Sequence, residues 1–196
     1  TSFRMADSAG FAFAASNGRI LLSSDETGVY NAYAADPVSG EREALTTSTT
    51  SATYAISWFP HDDRALVTFD GGGDELNHIY VRELDGRLSD LTPGENVKAQ
   101  FIGFSPEGND IWLATNARDA GAFDVYQYDT LSYESSFVFE NTDALSISSV
   151  SPDGRWLALV RNRTSADSDI LLVDLAADQP EPVLITAHEG NIAYGT

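Results

Sequence analysis

Ser149-Val-Ser-Pro-Asp-Gly-Arg-Trp-Leu-Ala-Leu-Val160 is one copy of a pattern that recurs along this 196-residue chain. Related copies are Ile56-Ser-Trp-Phe-Pro-His-Asp-Asp-Arg-Ala-Leu-Val67 and Gly103-Phe-Ser-Pro-Glu-Gly-Asn-Asp-Ile-Trp-Leu-Ala114, and a degenerate copy, with Asn-Gly at its turn, runs from Phe13 to Leu22. The prolines of the three clear copies are 46 residues apart. A fixed period of this length is typical of repeat architectures.

Each copy is followed by further alternating segments that keep the same period. In the best copy, Ser151-Pro-Asp-Gly154 has the residues of a type I turn. The later segments predict a third strand and a closing strand in every repeat, with longer polar connections between the second and third strands. The third strands are predicted at 29–33, 78–81, 124–128 and 169–173, the closing strands at 43–46, 88–92, 136–139 and 182–185, and the polar connections at 70–75, 116–122 and 162–167.

A repeat of four short strands without helical periodicity predicts an all-β fold, the β-propeller. We expect about four four-stranded blades of an incomplete seven- or eight-bladed propeller within one partial domain, 1–196. The predicted blades cover approximately 9–48, 50–94, 96–141 and 142–188, and 191–196 would begin a fifth. Packing between blades is expected for the three tryptophans and for four aliphatic or aromatic residues: Trp58, Trp112, Trp156, Ile56, Phe104, Val150 and Leu157.

Composition excludes several classes of partner. The chain has 30 acidic and 11 basic residues, a net charge of −19, so nucleic acid and anionic membranes are poor partners. It has no cysteine, which excludes disulfides and thiolate metal sites. No signal peptide or transmembrane segment is visible, and the sequence leaves localisation open between cytoplasm and periplasm.

Three longer stretches resemble one enzyme family. Ser151-Pro-Asp-Gly154 is similar to the blade motif of Pro-Asp-Gly-type, WD-like propellers. Thr68–Val81, Arg118–Tyr126 and Ser168–Leu175, the last followed by His188-Glu-Gly, are similar to propeller segments of bacterial prolyl oligopeptidase-family serine peptidases, in the dipeptidyl-aminopeptidase and acylaminoacyl-peptidase branch. The resemblance implies an N-terminal propeller that caps a C-terminal α/β-hydrolase domain and restricts entry to short peptides.

The sequence contains no catalytic constellation. The family's nucleophile lies in Gly-x-Ser-x-Gly, and no two of the fifteen glycines are four residues apart. The sequence therefore predicts no catalytic, cofactor-binding or metal-binding residue and no cofactor. Three histidines (His61, His78 and His188) could act as bases, but a surface or packing role is expected for each. Asp70, Asp74 and Glu75 could bind calcium, but solvated acids of a glycine-rich hairpin tip are expected.

Two short motifs match a known pattern only in part, and a third fits its pattern. Ser23–Gly28 nearly forms an Asp-box, and Gly103 and Gly108 have the outer spacing of a phosphate-binding loop, but Asn109 stands where lysine is required. Asn162-Arg-Thr fits a glycosylation acceptor, which matters only in a secretory pathway.

Two functions remain open on the sequence alone. The first is the non-catalytic propeller part of a serine peptidase, whose partners are a C-terminal α/β-hydrolase domain of the same protein and short peptide substrates. The second is a stand-alone Tol-type propeller that acts as a protein-interaction module. In either case we expect no nucleic-acid or membrane partner, and self-association through apolar blade faces left open at the ends.

Overall fold

The computed structural model of the protein describes residues 18–194. All regular secondary structure within this range is β-strand, as predicted, so no helix there has the length and apolarity needed to cross a bilayer. Contacts divide the chain into two compact units, Thr1–Ala99 and Gln100–Thr196. Positions 9–17 of the predicted first blade and 195–196 of the predicted fifth lie outside the described residues.

Unit 1 contains two antiparallel sheets that we call blades 1 and 2. In each sheet, consecutive strands are hydrogen-bonded neighbours. Trp58, Ala65 and Arg82 form one row across three strands of blade 2 and so lie on one face of the sheet. Blade 1 consists of β1 (Ile20–Ser24), β2 (Asn31–Ala35) and β3 (Arg42–Ala44), and blade 2 consists of β4 (Tyr54–Trp58), β5 (Ala65–Phe69), β6 (His78–Arg82) and β7 (Leu88–Asp90).

Unit 2 contains two four-stranded sheets, blades 3 and 4, with the same meander order. Residue alternation assigns Leu157 and Leu159 to one face of blade 4 and Ala158 and Val160 to the other. Blade 3 consists of β8 (Ala99–Phe104), β9 (Asp110–Asp119), β10 (Ala122–Asp129) and β11 (Ser135–Phe139), and blade 4 consists of β12 (Ser146–Val150), β13 (Trp156–Thr164), β14 (Asp167–Asp174) and β15 (Val183–Leu184).

The Ser-Pro-Asp-Gly turn has the predicted geometry. The Gly154 amide donates to the Ser151 carbonyl at 2.8 Å, and the Trp156 amide donates to the Ser151 hydroxyl at 2.8 Å. Gly154 has φ +70°, a left-handed conformation that favours glycine. A Cβ at this position would lie 3.3 Å from Cζ2 of Trp112, so the turn also packs closely on blade 3.

The structure corrects the predicted connections in blades 3 and 4. Residues 116–122 and 162–167 were expected to form long polar loops, but β9 and β13 continue to Asp119 and Thr164, and each hairpin closes through two residues. Polar side chains there belong to strand ends that extend past the apolar core, where both faces can be polar. Blades 1 and 2 have longer irregular connections at this place, residues 25–30 and 70–77.

The cores lie between neighbouring sheets. In unit 1, Ala32 and Ala34 of blade 1 are fully buried in a cluster with Trp58 of blade 2, because their small side chains leave room for the indole. In unit 2, Leu157 and Leu159 of blade 4 are fully buried in a cluster that contains Trp112, Val125 and Phe139 of blade 3. This pairing of faces is the inter-blade packing that the repeat predicts.

Some predicted core residues are less buried than expected. Leu157, Trp58 and Trp112 are buried, at 0%, 4% and 7% exposure. Ile56, Phe104 and Val150 are only half-buried. Ile56 lies at a register shift in the β4–β5 pair, so it has no cross-strand partner to cover it.

Trp156 contradicts the expectation that it fills space between blades, because 39% of it is exposed. It lies one residue before Leu157 and therefore projects from the opposite face of β13, away from blade 3. The Arg155 guanidinium carbon lies 5.0 Å from the centre of its ring.

Candidate functional site

A polar residue begins or lies close to the start of β2, β6, β10 and β14, the strands predicted to be third in their repeats. These residues are Asn31, His78, Asp124 and Asp169, which are 45 to 47 residues apart. Asn31 is 1% exposed, and both aspartates are fully buried. Because a buried polar group is costly without partners, each of these positions requires a local network.

Asn31 of blade 1 is satisfied by neutral partners. Its amide nitrogen donates to the carbonyls of Val29 and Ser48, at 3.2 and 3.0 Å. Its side-chain oxygen accepts from the Thr46 hydroxyl at 3.0 Å and from the Ser48 amide at 2.7 Å. This amide therefore ties β2 of blade 1 to the link that leads into blade 2.

Asp124 of blade 3 is held by a charged partner. Nε and Nη2 of Arg118 donate to its two oxygens at 2.7 and 2.9 Å. The backbone N–H of Asn141 donates to Oδ1 of Asp124 at 2.9 Å. Burial raises the pKa of the Asp124 carboxyl, but these hydrogen bonds outweigh it and hold the pKa below its usual 3.8. The pair fixes Arg118, which is partly exposed, at the end of the blade.

Blade 4 concentrates four ionisable groups at the same place. Nη2 of Arg163 lies 2.6 Å from Oδ2 of Asp169, although the contact lacks hydrogen-bond geometry. The His188 side chain, 5% exposed, lies between the carboxylates of Asp167 and Asp169, with nitrogen–oxygen distances of 3.0 and 3.5 Å. We call Arg163, Asp167, Asp169 and His188 the blade 4 cluster.

His78 of blade 2 lines an open cavity of about 390 Å³. Its Nδ1 lies 2.8 Å from Oδ2 of Asp90. Tyr80, two residues along the same face, stacks on Phe69 with ring centres 3.9 Å apart. Burial and the Asp90 charge raise the pKa of the Tyr80 hydroxyl. Loop residues complete the lining: Gly71, Asp74, Leu76, Gly94, Glu95 and Asn96.

A second cavity of about 560 Å³ also borders the 70–75 loop and shares Gly71 with the first. Its lining is rich in hydroxyl groups from the link between blades 1 and 2, which include Thr47, Thr50 and Ser51. Both cavities fall within the size range of small-molecule and peptide sites. We call them the blade 2 cavities, and they are the candidate binding site of unit 1.

The Asp70 and Asp74 side chains of the 70–75 loop, considered above as calcium ligands, are hydrogen-bonded within the loop itself. Asp70 accepts hydrogen bonds from the amides of Gly72, Gly73 and Glu75, and Asp74 accepts from those of Gly71 and Leu76. Hydrogen bonds from the backbone N–H groups of Gly73, Glu75 and Gly72 lower the pKa of the Asp70 carboxyl. The carboxylates cap their own loop, and residues 18–194 contain no cluster suited to hold a metal ion.

The other candidate residues are not brought together. His61 lies in the exposed turn of blade 2, while His78 and His188 belong to different units. The Ser24 hydroxyl accepts from the Glu26 amide within the near-Asp-box segment. Asn162, in the glycosylation pattern, is exposed and donates to the Ser146 hydroxyl at 3.2 Å.

Sequence reasoning missed two features of the site. One is the repeated polar position at the third strand, which an alignment of the repeats shows. The other is a threonine near the end of the closing strand. Its hydroxyl accepts a hydrogen bond from the backbone N–H of the residue after the polar position: Thr46 from Ala32, Thr92 from Ile79 and Thr186 from Ile170. A comparison of the closing strands, Leu-Thr or Ile-Thr in three repeats, would have found it.

An apolar groove of about 450 Å³ lies on the outer face of blade 4. Trp156, Val183 and Ile185, which line it, are 39%, 59% and 55% exposed. The equivalent face of blade 3 carries Trp112 and Phe139, which blade 4 buries. This face of blade 4 is therefore apolar and, among the described residues, uncovered.

Solved structures of low sequence identity show the fold. A prolyl endopeptidase matches with a TM-score of 0.63 at 15% identity, over 87% of this chain and 28% of that chain. TolB from Acinetobacter baumannii matches with a TM-score of 0.58 at 19% identity, over 88% of this chain and 42% of that chain. A putative TolB from Agrobacterium tumefaciens matches with a TM-score of 0.60 at 18% identity, over 89% of this chain and 67% of that chain. The chain is thus an all-β protein built of propeller blades, as predicted.

Sequence relatives narrow the class further. The chain is a homologue of dipeptidyl aminopeptidase BIII from Pseudoxanthomonas mexicana, with 29% identity over 133 residues, 67% of this chain. It is also 27% identical over 117 residues, 57% of its length, to the APC/C activator protein CDC20 from Saccharomyces cerevisiae. It spans 19% of the length of each curated relative. No protein-family model matches the chain. The aminopeptidase relative confirms the resemblance to the peptidase propellers.

Proposed function

We propose that this chain is the non-catalytic propeller part of a serine peptidase, where it gates the access of short peptides to a C-terminal α/β-hydrolase domain. The observation that carries the proposal is the homology to a dipeptidyl aminopeptidase in a chain without the Gly-x-Ser-x-Gly motif. A propeller homologous to part of a peptidase, but without its nucleophile, is suited to control entry and not to perform the reaction.

The blade ends support a gating role physically. A gate that excludes folded proteins must be rigid, and the buried polar groups Asn31 and Asp124 stiffen their blades through closed hydrogen-bond networks. The blade 2 cavities offer hydroxyl, carboxylate and aromatic groups to a small polar ligand. Short peptides contain the amide and charged groups that such linings bind.

Two measurements test this proposal. The coding sequence after Thr196 should contain Gly-x-Ser-x-Gly followed by Asp and His codons, and purified 1–196 should hydrolyse neither dipeptidyl-naphthylamides nor nitrophenyl esters. In the enzyme that carries both parts, deletion of the propeller should increase cleavage of a folded protein relative to a short peptide. An unchanged ratio excludes gating, and activity that copurifies with 1–196 excludes a non-catalytic role.

The alternative is a stand-alone interaction module of the TolB type. It is favoured by the match to the putative TolB, of which this chain covers 67%. The coding sequence distinguishes the two functions, because an interaction module needs no hydrolase domain after residue 196. A downstream sequence that completes only further blades would favour the alternative.

We further propose that the isolated chain self-associates through the outer face of blade 4. Val183 and Ile185 expose apolar surface there, and apolar surface removed from water contributes roughly 25 cal/mol per Å². Light scattering should show oligomers for 1–196, and Ile185→Glu should shift them towards monomer. Val38→Glu, a matched change at a residue that is 94% exposed in a turn of blade 1, should have no effect. Monomers at every concentration contradict the proposal.

A further inference from the structure

We propose that His188 is a protonation-controlled clasp that, as an imidazolium, fastens residues 186–194 to the tip of the β13–β14 hairpin and releases them when it loses its proton. The juxtaposition behind this is the blade 4 cluster, where one histidine is enclosed between two buried carboxylates. The clasp is a property of this cluster alone and does not depend on the proposed peptidase role.

Both ring nitrogens of His188 face oxygen acceptors. Nε2 lies 3.0 Å from Oδ1 of Asp167, and Nδ1 lies 2.9 Å from the Thr186 carbonyl. A carbonyl and an ionised carboxylate only accept hydrogen bonds, whereas a neutral imidazole has a single N–H. Only the doubly protonated ring donates to both oxygens at once, so this geometry favours the imidazolium.

The surrounding charges make the loss of that proton costly. Asp167 and Asp169 are 12% and 0% exposed in their side chains, and within residues 18–194 Arg163 is the other cation in contact with them. Arg161 lies opposite Asp169 on β13, with Nη2 3.9 Å from Asp143. When His188 becomes neutral, two buried carboxylates share Arg163, and an underpaired buried charge is strongly unfavourable.

The cluster holds a specific segment in place. The Ser168 amide donates to the Ile192 carbonyl at 3.0 Å. The Ser168 hydroxyl accepts from the Tyr194 amide at 2.8 Å and donates to the Tyr194 carbonyl at 3.1 Å. The rings of His188 and Tyr194 have centres 5.4 Å apart. Release of His188 therefore removes the cover from the contacts that attach 191–194 to the hairpin.

Blade 3 makes the corresponding link through a carboxamide instead of an imidazole. The Asn141 side chain donates to the carbonyls of Phe123 and Leu145, at 3.2 and 2.8 Å, and accepts from the Leu145 amide at 3.0 Å. A carboxamide does not titrate, and the Asp124 carboxyl that accepts from the Asn141 backbone N–H has a pKa below 3.8, so this link is insensitive to pH between 6 and 9. Blade 3 is an internal reference for blade 4.

The direction of the pH effect follows from the local contacts. Hydrogen bonds to Thr186 and then to Asp167 raise the pKa of His188 above its usual 6.5, against the opposing effect of burial. A group whose pKa is raised on folding stabilises the folded state below its unfolded pKa. This contribution is lost as the pH rises through the folded value, so the clasp is closed near pH 6 and opens at alkaline pH.

Amide hydrogen exchange of the intact chain, corrected for intrinsic rates, tests the clasp at pH 6 and pH 9. We expect protection in 186–194 to fall roughly tenfold or more at pH 9, while protection in 141–145 stays the same. His188→Gln should make 186–194 equally exposed at both pH values, and His61→Gln, in an exposed turn, should retain the difference. Equal losses in both links, or a pH response that persists in His188→Gln, overturn the proposal.

A second measurement needs no substitution, in case His188→Gln does not fold. The ring carbon–proton resonances of His188 in the unaltered chain report its titration directly. We expect a midpoint above 6.5, with the shift in 186–194 exchange at the same pH. A midpoint at or below 6.5 contradicts the clasp.

Discussion

Leu157→Ala removes three carbon atoms from the centre of the unit 2 core. Leu157 is fully buried and belongs to the cluster of Trp112, Val125, Leu159 and Val173. Loss of the transfer free energy alone costs about 2.4 kcal/mol, at roughly 0.8 kcal/mol for each buried carbon. The cavity left by the missing side chain adds to this cost, because backbone hydrogen bonds within each sheet let the neighbouring residues move only slightly into it. We therefore expect a total loss of about 3–4 kcal/mol.

Urea denaturation, followed by circular dichroism and tryptophan fluorescence, measures this loss. The midpoint should fall while the m-value stays unchanged, because the surface exposed on unfolding is nearly the same. The thermal midpoint should fall by roughly 6–16 °C, at about 2–4 °C for each kcal/mol in a chain of this size. Leu131→Ala, at a leucine of the same unit that is 82% exposed, is the control and should change stability by less than about 0.5 kcal/mol. Equal effects of the two substitutions would falsify the assigned inter-blade face.

Two further predictions concern the turn and the ion pair of unit 2. Gly154→Ala should destabilise the chain by about 1–3 kcal/mol more than Gly40→Ala, because its new Cβ also contacts Trp112. Gly40 is the matched control, since it has a similar φ of +74° and no atom lies within 4 Å of the new Cβ. Equal urea midpoints for the two variants exclude an effect of the Trp112 contact. Asp124→Asn should cost about 1–3 kcal/mol at pH 7 through the loss of the Arg118 pair. Since the pKa of Asp124 is lowered, the difference in stability between the two proteins should be present above pH 3.8 and shrink as the pH falls below it. A stability difference that is constant from pH 7 to pH 3 would contradict the ion pair.

Local sequence contained enough information for the repeat and its strands. Ser151-Pro-Asp-Gly154 predicts its turn because the conformational preferences of proline and glycine act within four residues. Leu157 was correctly placed in the core because alternation along a strand assigns faces. The ends of β9 and β13 were misplaced, since polar residues past the core are compatible with either strand or loop.

Burial and charge pairing, in contrast, depend on the neighbouring sheets. Trp112 and Trp156 lie two positions apart in the aligned repeats and therefore project from equivalent faces of their blades. Blade 4 buries Trp112, whereas no described residues cover the face of blade 4 that carries Trp156, so Trp156 lines the open groove. His188 has no local signal of importance. Its role appears only when the hairpin that carries Asp167 and Asp169 folds against a link about twenty residues further along the chain. The periodic pattern of the chain thus determines its strands and blades, which result from short-range preferences, whereas tertiary packing determines which side chains are desolvated and which charges meet, because those energies depend on distances between residues remote in sequence.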